Sequence, residues 1–231
     1  MGSGNDFEPI NTSDGVYDIG HLKDLSVSLD VTFNNGDTRT IVIHMRPTNH
    51  LFSRAVEQSD FYNRQTLERD GYWLKSYVHH EGNYQQIKGE PRTLKENRIF
   101  CKVKWADSFF FPSFVDLLSK QPSSTTVLAN AGDSKTCLSG ILEIDDRPDD
   151  VYLVFFTLTK VNSKEVNMLI TSAYCVNRSQ HAKAQKLLHP EEGKAKPFVV
   201  VLKNVMEGRK PLESITQNKR AHKRRKKNKS V

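Results

Sequence analysis

The sequence predicts an α+β fold, an N-terminal β-hairpin and short helices packed on an antiparallel β-sheet meander. Two observations carry that expectation. LSVSLDVTF (25–33) and TRTIVIHM (38–45) alternate apolar and polar residues around the turn signal NNGD, the pattern of a hairpin with one buried face. CLSGILEI (137–144), VYLVFFTLTK (151–160) and VNMLITSAY (166–174) then follow one another across the short polar turns DDRPDD and VNSKE. No βαβ alternation with a glycine-rich turn is present, which disfavours Rossmann and P-loop nucleotide binding.

Each further element has its own signal. In TRTIVIHM, Thr40, Val42 and His44 share one face of the strand and Ile41, Ile43 and Met45 the other. After Pro47, Asn49 is placed to cap a short helix carrying Leu51, Phe52, Ala55 and Val56. RIFCKVKW (98–105) alternates Ile99, Cys101, Val103 and Trp105 against Arg98, Lys102 and Lys104, which reads as a strand. FPSFVDLLSK (111–120) reads as a helix, with Pro112 at its first position and Phe114, Val115, Leu117 and Leu118 on the buried side. A short strand is expected at 125–129, a helix over 180–189 with Ser179 near its start, and a closing strand at PFVVVL (197–202).

The expected organisation is a flexible N-terminus (1–20), a single α+β domain (21–205) with an inserted segment at 60–97, and a disordered basic tail (206–231). At 37% apolar residues and 9% aromatics, 231 residues supply a real core. No run approaches the roughly 20 apolar residues of a membrane helix, and the first residues lack a signal-peptide pattern, so a soluble cytoplasmic protein without membrane contact is expected. Cys101, Cys137 and Cys175 are widely spaced and form no CxxC pair, so they are expected as buried, reduced thiols.

Charge is concentrated rather than spread. KRAHKRRKKNK (219–229) holds eight of the 34 Lys and Arg residues and no acid; since the formal net charge is +7, the rest of the chain stands at about −1. Lys219, Arg220, Lys223, Arg224, Arg225, Lys226, Lys227 and Lys229 therefore form the expected nucleic-acid-binding arm, because clustered cations attract phosphates without needing a fold.

Two clusters can carry chemistry. HMRPTNH (44–50) brings two histidines, an arginine and an asparagine to a strand end. As a metal site it supplies two ligands where three or four are needed; His79 and His80 or a carboxylate would have to complete it, and HExxH is absent. As structure, Asn49 is a cap, Arg46 a solvated strand end and one histidine an interior hydrogen-bonding group. As a catalytic site, His44 or His50 moves protons near neutral pH while Arg46 holds a phosphate, the requirements of metal-independent RNA cleavage. TSAYCVNRSQH (171–181) is the second cluster. Alternation puts Thr171, Ala173 and Cys175 on one face and Ser172, Tyr174 and Val176 on the other, with Asn177, Arg178 and His181 at the strand end. The aromatic, basic stretch 61–84 offers stacking surfaces for unpaired bases.

In order and texture, residues 98–178 resemble ribonuclease domains of the barnase, EndoU and RelE type, on the strength of IFCKVKW, FFTLTK and ITSAYCVNR. The resemblance covers about a third of the chain and implies a metal-free ribonuclease or toxin-like translation inhibitor of bacterial or phage origin. Its expected catalytic residues here are His44, Arg46, His50, Tyr174 and Arg178, with Asn49, Lys160, Thr171 and Ser172 on the substrate. No cofactor or metal is expected. The expected partner is nucleic acid, RNA before DNA, followed by a protein partner or antitoxin. The alternative is a non-enzymatic RNA-, DNA- or ribosome-binding protein that uses the basic tail.

Overall fold

The computed structural model describes residues 7–74, 77, 78, 93, 94, 96–129 and 137–212. Its strands are β1 (Ile10–Thr12), β2 (Gly15–Tyr17), β3 (Ser26–Thr32), β4 (Thr38–Pro47), β5 (Ser53–Ala55), β6 (Trp73–Leu74), β7 (Tyr77–Val78), β8 (Thr93–Leu94), β9 (Arg98–Phe100), β10 (Thr126–Ala129), β11 (Leu138–Glu143), β12 (Asp150–Lys160), β13 (Glu165–Asn177) and β14 (Lys196–Pro197). The helices are α1 (Gln58–Tyr62), α2 (Arg64–Arg69), α3 (Lys102–Ser108), α4 (Phe111–Lys120), α5 (Ala182–Leu188) and α6 (Phe198–Met206).

A seven-stranded sheet in the order β14-β10-β11-β12-β13-β4-β3 is the frame. Its strands from β10 to β13 form the antiparallel meander. The hairpin β3–β4 extends that meander by laying β4 parallel to β13, with His44 opposite Asn167 and Arg46 opposite Leu169. The α+β class follows, with one parallel pairing inside a sheet expected to be antiparallel throughout.

One face of this sheet carries the main core. Ile41, Ile43 and Met45, Val166, Met168 and Ile170, and Tyr152, Val154 and Phe156 come from alternate positions of three adjacent strands; Phe114 and Leu118 of α4 and Val201 and Leu202 of α6 cover them. Burying each such aliphatic or phenyl side chain contributes about 1.5–3 kcal/mol before entropy is subtracted. On the opposite face, Ala184 and Leu187 of α5 pack on Val151, Leu153, Phe155 and Ile141 at one end, and His44, Arg46 and Asn167 are buried at the other. Gly140 lets α4 approach β11: a Cβ there would lie 2.9 Å from Cζ of Phe114.

Three local expectations are overturned, each by tertiary packing. RIFCKVKW is a strand only to Phe100; from Lys102 it is the helix α3, because Trp105 donates its indole hydrogen to the Asp18 carbonyl (2.7 Å) and stacks edge-on against Tyr17 and Phe109. PFVVVL is the helix α6: Phe198, Val201, Leu202 and Val205 fall at helical spacing, and all are buried. A run of apolar residues this short fits either period, and the continuation KNVM decides for the helix. Asn49 caps no α-helix; Asn49–Leu51 is one 3-10 turn whose N-cap is Thr48, and Ser53–Ala55 is a strand. Ahead of the hairpin, β1 and β2 pair, and the Tyr17 ring centre lies 4.7 Å from that of Phe100. Pro112 sits one position inside the α4 start.

Candidate active site

β13 positions the site through an irregularity. Phe155 pairs with Ser172 and Phe156 with Ile170, so Thr171 is an extra residue and the strand bulges there. Ile170 and Ala173 both point into the core, which leaves Thr171 and Ser172 together off it. Thr171 therefore parts from Ala173 and Cys175, the residues alternation had grouped it with; its hydroxyl donates to the Phe155 carbonyl at 3.2 Å.

The 3-10 turn that ends HMRPTNH docks directly before this bulge, where the Thr48 hydroxyl donates to the carbonyl of Ile170 at 2.8 Å. From that turn the His50 Nε2 meets Glu96 Oε2 at 2.9 Å. The other oxygen of Glu96 accepts from Arg98 Nη1 at 2.9 Å. Arg98 is buried and fixed further: its Nε donates to Ser53 Oγ (2.8 Å) and its Nη2 to the Ser53 carbonyl (3.3 Å). Ser53 passes its own proton to the Asn49 carbonyl (2.5 Å), closing the chain of bonds back to the turn.

α3 supplies the other half. One helical turn apart, Lys104 and Asp107 face β13: Lys104 Nζ donates to Ser172 Oγ at 3.3 Å, and Asp107 Oδ2 accepts the backbone N–H of Cys175 at 2.9 Å. The Lys104 ammonium also lies 5.5 Å from the ring centre of Tyr174, which stacks on Phe155.

These surroundings move proton affinities. Burial pushes the Lys104 amine down to about 8, helped by the positive charge of Arg98 and opposed by Cys101 and Asp107. Burial also lowers the His50 imidazole; the Glu96 bond opposes this, and the charges of Arg98 and Lys104 add to it. For Glu96, burial alone would raise the carboxyl, but the hydrogen bonds from His50 and Arg98 hold it below the usual range. The Tyr174 phenol is raised by burial and stays protonated. A neutral imidazole oriented by a carboxylate, beside an amine that titrates near 8, is a set able to take and give protons near neutrality.

The other expected site residues lie elsewhere. His44 is buried in the middle of β4, 3.9 Å from Glu165 Oε1, and Arg46 is completely buried two residues on. Neither is at a solvated strand end, because β13 continues the sheet past them. Asn49 is buried and holds the turn through its carbonyl. Lys160 caps α6 by donating to the Met206 carbonyl at 2.7 Å. Arg178 lies beyond the far end of β13, bonded to Glu143 (3.0 Å) and the Pro148 carbonyl (3.2 Å). Six residues separate it from Ser172, about 20 Å of extended chain. The structure thus brings Ser172 and Tyr174 to Lys104, whose charge acts on His50, and leaves His44, Arg46, Lys160 and Arg178 out. Glu96, Arg98 and Lys104 were missed. Reading 98–105 as a strand hid Lys104, although helical spacing from Trp105 and Ser108 was available as a signal.

His79, His80, Tyr84 and the whole basic tail from Lys219 to Lys229 lie outside the described residues, as do the side chains of β7 and β8. Among the described residues no group of three or more His, Cys, Asp or Glu is arranged to hold a metal ion, and no helix is long and apolar enough to cross a membrane. Cys101, Cys137 and Cys175 are free thiols and only half-buried, where full burial was expected.

Fold and site define an α+β protein with an acid/base cluster on the margin of a bulged sheet strand. The chain belongs to the YjaZ family, whose model matches residues 9–206. No curated protein and no solved structure matches it.

Proposed function

We propose that this protein is a metal-independent ribonuclease of toxin or phage-conflict type, acting in the cytoplasm, with its chemistry centred on His50 and Lys104. The observation that carries the reading is the His50–Glu96–Arg98 chain together with Lys104, which acts electrostatically on His50 and meets Ser172 and Tyr174. His50, neutral at pH 7 and held by Glu96, takes the proton of a ribose 2′-hydroxyl. The 2′-oxygen attacks the adjacent phosphorus. Lys104, mostly protonated at pH 7, neutralises charge on the phosphate and gives its proton to the departing 5′-oxygen. Ser172 and the Tyr174 hydroxyl supply further donors. Glu96 and Arg98 act through His50, as positioning residues.

The reading keeps the chemistry anticipated for HMRPTNH and TSAYCVNR and moves it onto the residues that meet. The basic tail supplies general affinity for RNA, and a protein partner or antitoxin is placed on the nearly neutral body.

Incubation of the full chain with end-labelled RNA in excess EDTA tests this. Cleavage should persist in the chelator and leave 2′,3′-cyclic phosphate ends. It should fall by about 10²–10⁴-fold in His50→Ala and Lys104→Ala, the usual range for losing an acid or base. RNA left intact but bound in a salt-sensitive manner would replace the enzyme by a binding protein. Cleavage abolished by EDTA alone would replace it by a metal-dependent hydrolase.

A further inference from the structure

We propose that Ser172 is a nucleophile with Lys104 as its base, giving the protein a second activity toward activated carboxylic esters. This activity does not depend on the ribonuclease reading: it uses a covalent bond to the protein, which RNA cleavage by its own 2′-hydroxyl does not.

Four observations converge. The bulge at Thr171 leaves Thr171 and Ser172 both off the core, with Ser172 still paired to Phe155. The only proton acceptor a serine nucleophile needs stands within reach, with Lys104 Nζ at 3.3 Å from Ser172 Oγ. Lys104 is held in place by its helix, whose next turn is anchored to the same strand through Asp107 and the N–H of Cys175. Finally, the half-buried Tyr174 ring, backed by stacking on the buried Phe155, lies on the same side of the sheet as Ser172 and offers apolar surface for an acyl or aryl group. The charged and titratable groups around the amine are Arg98, Cys101, Asp107, His50 with its partner Glu96, and Tyr174 beneath it. Burial and Arg98 lower the amine to about 8, so a tenth of it is neutral at pH 7 and half at pH 8.

The step balances. Ser172 Oγ bonds to the acyl carbon while its proton passes to Lys104 Nζ. The carbon–oxygen bond to the leaving group breaks, and the departing alkoxide takes that proton. Water then cleaves the acyl-serine, releasing the carboxylic acid and restoring the hydroxyl. With a fluorophosphonate, Oγ bonds to phosphorus, fluoride leaves, and the adduct is stable enough to map.

The test is labelling of the full chain with a fluorophosphonate, followed by peptide mass spectrometry, from pH 6 to 9.5. The adduct should map to Ser172 and its rate should rise about tenfold per pH unit, levelling above about 8. Lys104→Arg keeps the charge but cannot become neutral, so labelling should fall at least about 10²-fold while circular dichroism stays unchanged. Ser172→Ala should not label, and Arg178→Ala should label as the parent does. The proposal is overturned if the folded protein shows no adduct at any pH, if the adduct maps to another residue, or if Lys104→Arg labels like the parent. The pH response also separates the two activities, since RNA cleavage needs Lys104 protonated and labelling needs it neutral.

Discussion

The middle and the far end of β13 are built from similar residues but behave differently. At the middle, Ser172 and Tyr174 meet Lys104, with His50, Glu96 and Arg98 close by; at the far end, Arg178 meets Glu143 and a backbone carbonyl. The middle is overlaid by α3 and the docked 3-10 turn, so water is partly removed and the Lys104 amine and His50 imidazole leave their ordinary ranges. The Arg178–Glu143 pair is substantially solvated, 37% and 63% exposed at its two side chains. A strand end rich in polar residues becomes a site where a second element covers it, because desolvation, more than residue type, shifts a proton affinity.

Removing the covered histidine has the largest expected effect. His50→Ala should lower cleavage in EDTA by about 10²–10⁴-fold. His44→Ala, six residues earlier in the same motif, should lower it only as far as it lowers stability, because His44 sits within the sheet opposite Asn167. Equal losses of rate from two equally stable variants would erase the distinction between the two histidines.

The frame common to both regions breaks at Gly140. Gly140→Ala puts a methyl against the ring of Phe114, and α4 must shift; the expected loss is about 1–3 kcal/mol in urea unfolding. Unchanged stability would show that the α4–β11 approach is looser than drawn.

The support of α3 is titratable. His21 Nε2 lies 2.8 Å from Ser108 Oγ, and that hydroxyl already donates to the Trp105 carbonyl, so the ring nitrogen is the donor. Burial lowers the His21 pKa, with Asp18 and Ser108 opposing. A base with a folded pKa below its unfolded value favours folding when neutral. Its contribution is therefore complete above the unfolded value near 6.5 and is lost as the pH falls from there through the lower folded pKa. Tm should drop between pH 7 and 5, and His21→Gln should flatten part of that slope; an unaltered slope would exclude His21 as the cause.

The smallest effect belongs to the far end. Arg178→Ala should cost no more than about 1 kcal/mol, as exposed ion pairs do, and should leave cleavage intact. A large loss of cleavage would move the site toward α5.

The strands of the frame were legible because period-2 alternation and turn chemistry act locally: the hairpin at 25–45, the helix 111–120 and the three meander strands appear within a few residues of their expected bounds. What alternation does not encode is which element covers which. The parallel docking of β4 on β13 buries His44 and also Arg46, whose charge argued for a solvated strand end. Trp105 and Val201 follow helical packing in runs that fit strand alternation as well as helical spacing. Of the candidate site, His50, Ser172 and Tyr174 were legible from residue type. Lys104, Glu96 and Arg98 were not, because their role arises only where three distant segments meet.

The most direct measurement is the pH dependence of cleavage of a defined RNA in EDTA, for the parent and Lys104→Arg. The parent should give a bell, with an acid limb from His50 below its ordinary value near 6.5 and an alkaline limb near 8 that moves well above pH 9 in the arginine variant. A parent profile with no alkaline limb near 8, or one that is unmoved by Lys104→Arg, would contradict the role given to Lys104.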